Sequence, residues 1–174
     1  FPISAKEDSI TEGEEVFGLQ IEYPSGTVIS RGGQSIRIND VSIDPEATFG
    51  GLGVIDEGDS SNITIITNFA QSGTKLFWKL FQSNGIHAAS SDDFDEITGN
   101  FTIGETTAGV ERTATSYISI TPSRDNTTEG SELFKLRVYL DADHTRALHI
   151  PGTTNDAFFD FTVNDTSLSA IEYI

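Results

Sequence analysis

The sequence TEGSELFKL occupies Thr128–Leu136, and a near copy of it, TEGEEVFGL, occupies Thr11–Leu19. The copies start 117 residues apart, the difference between positions 128 and 11. The similarity extends to NDVS at Asn39–Ser42 and NDTS at Asn164–Ser167, which are 125 residues apart, the difference between 164 and 39. The second copy therefore contains a longer loop. Internal repetition of this kind predicts tandem structural units.

The repeat defines the expected domain organisation. Residues 44–51 contain Pro45 and the pair Gly50–Gly51, which disfavour regular structure, so they are predicted to be a linker. The expected parts of the chain are a partial repeat over 1–43 that holds the last three strands of a sandwich, the linker over 44–51, a complete repeat over 52–168, and a C-terminal strand or linker over 169–174.

Apolar and polar residues alternate with a period of two in most segments, which predicts β-strands, and no segment shows a convincing 3.6-residue period. Trp78 is predicted to lie in the middle of the core. Turn signals separate seven or so short strands in the complete repeat, which is typical of an antiparallel β-sandwich with Greek-key connections. The strands are predicted over Val16–Tyr23, Ser35–Val41, Leu52–Asp56, Asn62–Phe69, Thr74–Gln82, Ile97–Ile103, Thr113–Thr121, Leu133–Leu140 and Phe158–Asn164.

The composition excludes several classes of function. The 174 residues carry a formal charge of −17, and nucleic acid is an improbable partner because phosphate binding needs clustered Lys and Arg. There is no Cys, which excludes disulfides and thiolate metal sites. No apolar run reaches the length needed for insertion into a membrane.

Five motifs occur in an order and spacing that resemble a Calx-β-type repeat: Val54–Asp59, Leu76–Leu80, Ser91–Phe94, Thr128–Phe134 and Val163–Ser167. They are similar in particular to tandem copies in bacterial surface proteins and in structural proteins of tailed-phage virions. The resemblance implies an immunoglobulin-like sandwich and an extracellular location, on a cell-surface appendage or a virion. It also implies Ca²⁺ as a possible ligand of acidic loops, whose matching positions here are Glu57, Asp93, Asp125 and Asp165.

The calcium hypothesis has an alternative. Calcium takes about six to eight oxygen ligands, and the sequence has no dense D-x-D-x-D-G loop. Asp and Asn in turns commonly bond to their own backbone instead. In a secretory setting, N-glycosylation is possible at four Asn-X-Thr triplets, which begin at Asn62, Asn100, Asn126 and Asn164.

No catalytic motif accompanies the three histidines, His87, His144 and His149, all of which fall in loops or at loop edges. The chain is therefore not expected to be an enzyme.

The partial repeat over 1–43 predicts a surface for assembly. Its strands would expose an apolar face and unpaired edges unless other strands cover them. Completion by a neighbouring subunit is a head-to-tail contact that generates a filament, so the leading hypothesis is a fibre-forming homopolymer. The open alternatives are a window of a longer tandem array and a Ca²⁺- or glycan-binding adhesion module. The residues predicted at the polymer interface are Ile3, Phe17, Leu19, Ile21, Ile36 and Ile38.

Overall fold

A computed structural model describes residues 4–5, 13–19, 22–27, 34–39, 43–85, 88–107, 112–124, 128 and 130–166. Within these residues the regular structure is ten β-strands and no helix, and hence no helix that could cross a membrane. The predicted all-β class is confirmed. Internal contacts divide the chain into one unit over Phe1–Asp44 and a second over Pro45–Ile174.

The first unit contains one antiparallel hairpin, formed by β1 (Glu15–Leu19) and β2 (Gln34–Ile38). Phe17 lies opposite Ile36 in this pair. β1 and β2 each begin one residue before the predicted strands, and β2 ends at Ile38, before the predicted end at Val41. Residues 20 and 21, near the predicted end of the first strand, lie outside the described residues. Residues 1–5 match part of the segment Thr113–Thr121 and are therefore predicted to be the end of a strand. Of these residues only 4–5 are described, and they are not in a strand.

The second unit is an immunoglobulin-like β-sandwich. One sheet has the order β4-β10-β9-β6-β7, and the other has the order β3-β5-β8. The chain changes sheet between most consecutive strands, whereas β6–β7 and β9–β10 are neighbouring pairs within the larger sheet, a mixture found in Greek-key sandwiches. The strands are β3 (Glu46–Gly50), β4 (Val54–Asp56), β5 (Ser61–Asn68), β6 (Lys75–Gln82), β7 (Thr98–Thr102), β8 (Ala114–Ile120), β9 (Glu132–Tyr139) and β10 (Phe158–Asn164).

The core lies between the two sheets and contains the inward residues of each strand. Leu76, Trp78 and Leu80 of β6 are buried on one face, so the prediction that Trp78 is a core residue is confirmed. Gly99 of β7 lies directly opposite Trp78. A Cβ atom at Gly99 would lie 2.6 Å from the indole, so the absence of a side chain makes room for the ring.

The predicted linker over 44–51 is wrong for most of its length. Residues 46–50 form β3, which pairs antiparallel with β5, and Ala47 is 1% exposed. The Ala47 amide also donates a hydrogen bond to the carbonyl of His149, at 2.9 Å. Burial between two neighbours outweighs the weak local preference of this Pro- and Gly-flanked segment. The sandwich therefore begins at Pro45 and not at residue 52.

The sandwich is not antiparallel throughout. β4 runs parallel to β10, with Ile55 opposite Val163, whereas the other strand pairs are antiparallel. Gly50, Gly51 and Gly53 lie where the chain passes from β3 in one sheet to β4 in the other. The glycines that led to the prediction of a linker thus lie where the chain changes sheet within one domain.

The alternation of apolar and polar residues in the predicted strand Leu133–Leu140 predicts that Tyr139 faces outwards, but Tyr139 is only 4% exposed. The segment that follows β9 folds back over this residue, since Tyr139 forms a β-bridge with Ala147 and its ring meets that of His144 edge-on at 5.0 Å. Burial raises the pKa of Tyr139 above its ordinary value, although the Arg137 side chain acts in the opposite direction. A loop contact, which strand periodicity does not report, determines the burial of this residue.

Candidate functional site

The hairpin β1–β2 repeats the hairpin β9–β10 in register as well as in sequence. Phe17 lies opposite Ile36 in the first hairpin, and the residues at the equivalent positions, Phe134 and Phe161, lie opposite each other in the second. The other equivalent pairs agree in the same way. Glu15 opposite Ile38 corresponds to Glu132 opposite Val163, and Leu19 opposite Gln34 corresponds to Leu136 opposite Phe159. The two hairpins are therefore equivalent elements of the same type of sandwich.

The turn that precedes each hairpin is also repeated. Gly13 has φ = +88° and Gly130 has φ = +85°, and they occupy equivalent places in the two copies of the motif. Glycine adopts positive φ without the steric cost that a Cβ atom imposes. The shared motif thus specifies a backbone conformation as well as an apolar pattern.

The equivalent hairpins differ in the burial of their inward faces. Phe17 is 49% exposed, whereas its counterpart Phe134 is 3% exposed. At the neighbouring outward positions the two hairpins agree, because Val16 is 57% exposed and Leu133 is 46% exposed. The large difference between Phe17 and Phe134 is therefore on the face that forms the core of the complete sandwich.

The structure brings together part of the predicted polymer interface. Phe17 and Ile36 are cross-strand neighbours, and Ile36 and Ile38 are half-buried. The backbone of Leu19 pairs with that of Gln34. Ile3 and Ile21 lie outside the described residues. The assignment of these six residues to an interface stays a prediction.

The complete sandwich shows what covers such a hairpin. Phe134 packs edge-on against Phe94 of the β6–β7 loop, with ring centroids 4.7 Å apart, and stacks on Phe161 at 6.0 Å. β9 also pairs along its other edge with β6, where Leu136 lies opposite Leu80. In the described part of the first unit, β1 pairs with β2 alone. We refer to Phe17, Ile36 and Ile38 together with the outer edge of β1 as the open hairpin face.

Three of the four predicted calcium ligands lie at one end of the sandwich. Hydrogen bonds join their loops, among them those from Ser123 N–H to the Asp93 carbonyl at 2.9 Å and from Gly58 N–H to the Pro122 carbonyl at 2.9 Å. Each carboxylate accepts a backbone amide: Ser90 N–H to Asp93 (3.3 Å), Gly130 N–H to Asp165 (3.1 Å) and Thr166 N–H to Glu57 (3.4 Å). The contact of Asp93 is that of a turn residue with its own backbone, whereas those of Asp165 and Glu57 join loops that are distant in the sequence.

The described acidic residues do not assemble a metal site. No group of three or more His, Cys, Asp or Glu side chains is close enough to hold a metal ion within the described ranges. The fourth predicted ligand, Asp125, lies outside those ranges. Because carboxylates that cap backbone amides do not by themselves form a calcium shell, the calcium assignment stays a prediction.

The possible glycosylation sites differ in accessibility. Asn62 on β5 and Asn100 on β7 are exposed. Asn164 donates its side-chain N–H to Asp56 Oδ1 at 2.9 Å and accepts the Ser131 hydroxyl at 3.1 Å. Asn126 lies outside the described residues. Both the amide nitrogen and the amide oxygen of Asn164 are therefore engaged by neighbouring side chains.

The described histidines serve the loop between β9 and β10. The ring of His144 packs against Tyr139, and the carbonyl of His149 accepts the hydrogen bond from β3. Asp141 organises the same loop. Burial acts to raise the pKa of Asp141, but hydrogen bonds from Thr145 and from the backbone amide of Arg146 outweigh it and hold that pKa below its ordinary value. His87 lies outside the described residues.

A cationic and aromatic surface on the outer face of the larger sheet was not predicted from the sequence. The Nζ atom of Lys135 lies 4.3 Å from the centre of the Phe158 ring, and Lys79 and Arg137 lie 5.5 Å and 5.3 Å from the centre of the Phe81 ring. The signal in the sequence is the alternation of basic and apolar residues on β6 and β9. This alternation predicts a surface only when the register of β6 against β9 is known, because that register places Lys79 opposite Arg137.

An open cleft of about 520 Å³ lies between the end of β6, the loop at 90–93 and the start of β9. Its lining is mainly polar and includes Gln82, Ser90, Asp93, Ser131 and Glu132. Hydroxyl, amide and carboxylate groups of this kind can bind sugar hydroxyls.

No family model and no curated protein matches this sequence. Among solved structures, the chain is similar to the CARDB domain of the PF1109 protein from Pyrococcus furiosus, crystallised in complex with di-metal ions. The sequence identity is 15%, the TM-score is 0.37, and the match covers 69% of this chain and 87% of that chain. The metal ions belong to the crystal structure of that domain.

Proposed function

We propose that this protein is a non-enzymatic structural protein of Calx-β-type immunoglobulin-like repeats, which join head-to-tail into an extracellular fibre on a cell surface or a virion. The open hairpin face is the observation that carries the proposal. It repeats the register of β9–β10, and yet Phe17 is 49% exposed where Phe134 is 3% exposed. The extracellular location rests on the resemblance of the motif order.

Physical chemistry favours a partner for this face. Full burial of a Phe or Ile side chain stabilises by about 1.5–3 kcal/mol, and an isolated two-stranded hairpin is at best marginally stable in water. A hairpin with three apolar residues on its inward face therefore gains stability when other strands cover it. Because the covering surface differs from the hairpin, the contact is heterologous, and repeated heterologous contacts form chains.

The test is the assembly state of the purified chain. We expect light scattering to show a mass that rises with protein concentration, and negative-stain images to show elongated particles. The variant Phe17→Ser should reduce the mass because it removes the largest side chain of the open hairpin face. Val16→Ser is the matched control on the outward face of the same strand and should leave the mass unchanged. A monodisperse monomer at every concentration would refute self-assembly.

The polar cleft supports a second candidate function, a glycan-binding adhesion module. In this case binding would depend on the side chains that line the cleft, and not on Phe17. We expect a glycan panel to give a ligand whose affinity falls in a Gln82→Ala variant, while Phe17→Ser leaves it unchanged. A panel without any bound glycan would remove this candidate and leave the structural role.

A further inference from the structure

We propose that the outward row of β6 is a binding site for an acidic polysaccharide, that is, a linear glycan whose sugars carry carboxylate or sulfate groups. Basic and aromatic residues alternate along this row, and we refer to it as the β6 track. It shares no residue with the open hairpin face or with the polar cleft, so the proposal goes beyond the proposed function. The members of the β6 track are Lys75, Phe77, Lys79 and Phe81.

The β6 track is a straight row with a regular spacing. Leu76, Trp78 and Leu80 are buried in the core, so the residues between them face outwards. Residues that are two apart in a strand are separated by about 6.6 Å along it, which places the two lysines of the track about 13 Å apart with an aromatic ring between them. Such a row fits an extended polymer that repeats its own charge.

Aromatic rings, and not acids, hold the two lysines in place. The Nζ atom of Lys75 lies 5.4 Å from the centre of the Phe77 ring, and that of Lys79 lies 5.5 Å from the centre of the Phe81 ring. In the described part of the chain, neither lysine forms a salt bridge. Because a contact with a ring leaves the charge of the ammonium group uncompensated, both groups can pair with an anion.

Arg137 of β9 adds a third cation beside the track. It lies directly opposite Lys79, and both side chains lie over the ring of Phe81. Like charges directly opposite each other destabilise a sheet. Asp156 approaches one nitrogen of Arg137, at 3.6 Å, which leaves other N–H donors of the guanidinium for a ligand. A bound carboxylate or sulfate would offset the repulsion between Lys79 and Arg137.

β7 provides a polar flank on the other side of the track. Its outward residues are Thr98, Asn100 and Thr102, all of which are exposed and lie opposite members of the track. Hydroxyl and amide groups can both donate hydrogen bonds to sugar hydroxyls and accept them. Sugars present apolar ring faces and hydroxyls together with their charged groups. The combination of cations, aromatic rings and a polar flank therefore favours an acidic glycan over an acidic protein.

The net charge of −17 does not exclude an anion from this face. Charges are screened over about 8 Å at physiological ionic strength, so the residues close to the track determine the interaction. β6 and β9 together carry four of the ten Lys and Arg residues of the chain, and their outward positions include no acid. Binding to this face should be electrostatic and therefore sensitive to salt.

The test is calorimetric titration of the full chain with short oligogalacturonate and with a sulfated oligosaccharide. We expect saturable binding of at least one of them and none of the methyl ester of oligogalacturonate, which has the same sugars without the charge. Affinity should fall about tenfold between about 50 and about 200 mM NaCl, because counterions are released on binding. Binding of only one of the two acidic probes would support the site and identify carboxylate or sulfate as the group that it recognises.

Two double variants with equal charge locate the site. Lys75→Gln/Lys79→Gln should weaken binding about tenfold, because two charge pairs are lost. Arg37→Gln/Arg124→Gln removes the same charge outside β6 and β9 and should change binding by no more than about twofold. Both variants alter exposed or half-buried side chains, and near-ultraviolet circular dichroism of the single Trp checks that each remains folded.

The remaining outcomes would overturn the β6 track as this site. They are no binding of either acidic probe, equal binding of the methyl ester, an equal loss in the two double variants, or a loss in Gln82→Ala alone, which would place the site in the polar cleft. A fall in the assembled mass of Lys75→Gln/Lys79→Gln without any bound oligosaccharide would make this face a protein contact instead. Phe17→Ser should leave binding of the short probes unchanged, so failure of self-assembly and failure of this site are distinguishable.

Discussion

The contact between Gly99 and Trp78 gives a quantitative test of the sandwich core. In a Gly99→Ala variant the new Cβ atom would lie 2.6 Å from Cε2 and Nε1 of Trp78 and 2.7 Å from Cζ2. Ordinary carbon contacts lie at about 3.5–4.0 Å, so the ring or the strand must move by about 1 Å. The indole is rigid and only 4% exposed, and the neighbouring core limits its movement.

The magnitude follows from the cost of overpacking. Inserting one methyl group into a packed core costs about 1–3 kcal/mol, while replacing Gly by Ala within a strand returns about 0.5–1 kcal/mol of backbone entropy. We therefore expect Gly99→Ala to lower the free energy of unfolding by about 1–2 kcal/mol, or the melting temperature by about 2–8 °C. Urea unfolding monitored by the fluorescence of Trp78 measures the change.

A matched control isolates the steric effect. Gly104 follows β7, has no positive φ, and has nothing within 4 Å of the position of a Cβ atom. Gly104→Ala should be neutral or stabilise by up to about 1 kcal/mol. In a double variant, Trp78→Leu should remove most of the cost of Gly99→Ala, since the two residues are in contact. Because the sequence has a single Trp, urea unfolding of the variants that carry Trp78→Leu is followed by far-ultraviolet circular dichroism. If Gly99→Ala is as stable as Gly104→Ala, the packing of Trp78 described above is wrong.

Three further predictions concern the turns and loops. Gly130→Ala should lower the free energy of unfolding by about 1 kcal/mol by chemical denaturation, compared with Gly104→Ala, because φ is +85° although the space is open. The folded state holds the pKa of Asp141 below 3.8, so the ionised carboxylate stabilises the fold above that pH, and this stability is lost as the pH falls through the folded pKa. Asp141→Asn should therefore make the free energy of unfolding depend less steeply on pH in acid. Unfolding curves at several pH values measure the change. If the chain is glycosylated during secretion, mass spectrometry should find glycan at exposed Asn62 and none at Asn164, whose side chain is engaged; the reverse pattern would contradict the described contacts.

Local alternation was sufficient to predict most strands. β5, β6 and β9 each alternate between core and surface, so that their apolar residues recur with the period of a strand. The predicted bounds of β6, Thr74–Gln82, differ from the observed bounds by one residue. The physical reason is that one face of each strand is buried and the other is not, so apolar and polar residues alternate along the sequence.

The errors arose where distant residues determine structure. β3 has a weak local pattern and is a strand because β5 and the carbonyl of His149 satisfy its backbone. Tyr139 is at an outward position of β9 and is buried because a loop covers it. Neither the partner of a short strand nor the path of a loop is encoded in the local alternation. For the same reason the cationic and aromatic surface, which requires the register of β6 against β9, could not be predicted.

The candidate site was predictable in part. The repeated motif identifies β1–β2 as equivalent to β9–β10, and the register confirms this for every pair that has counterparts in both hairpins. The exposure of Phe17 is a property of the folded chain, because Phe134, the equivalent residue in the near copy of its motif, is buried. Glu57, Asp93 and Asp165 lie in loops of the described residues, but their hydrogen bonds to backbone amides could be known only from the loop geometry.

The two hairpins differ in sequence on their outward faces but are both apolar on their inward faces. On the outward face, β9 has Lys135, which pairs with Asp160 at 2.5 Å, and β1 has Gly18 at the equivalent position. On the inward face, both hairpins have large apolar residues, although Phe17 is exposed in one of them. If the inward face of β1 remained exposed to water, a polar residue in place of Phe17 would increase solubility without any loss of packing. The apolar inward face of β1 is therefore best explained by a partner that buries it, and a Phe17→Ser chain that assembled like the original would remove this explanation.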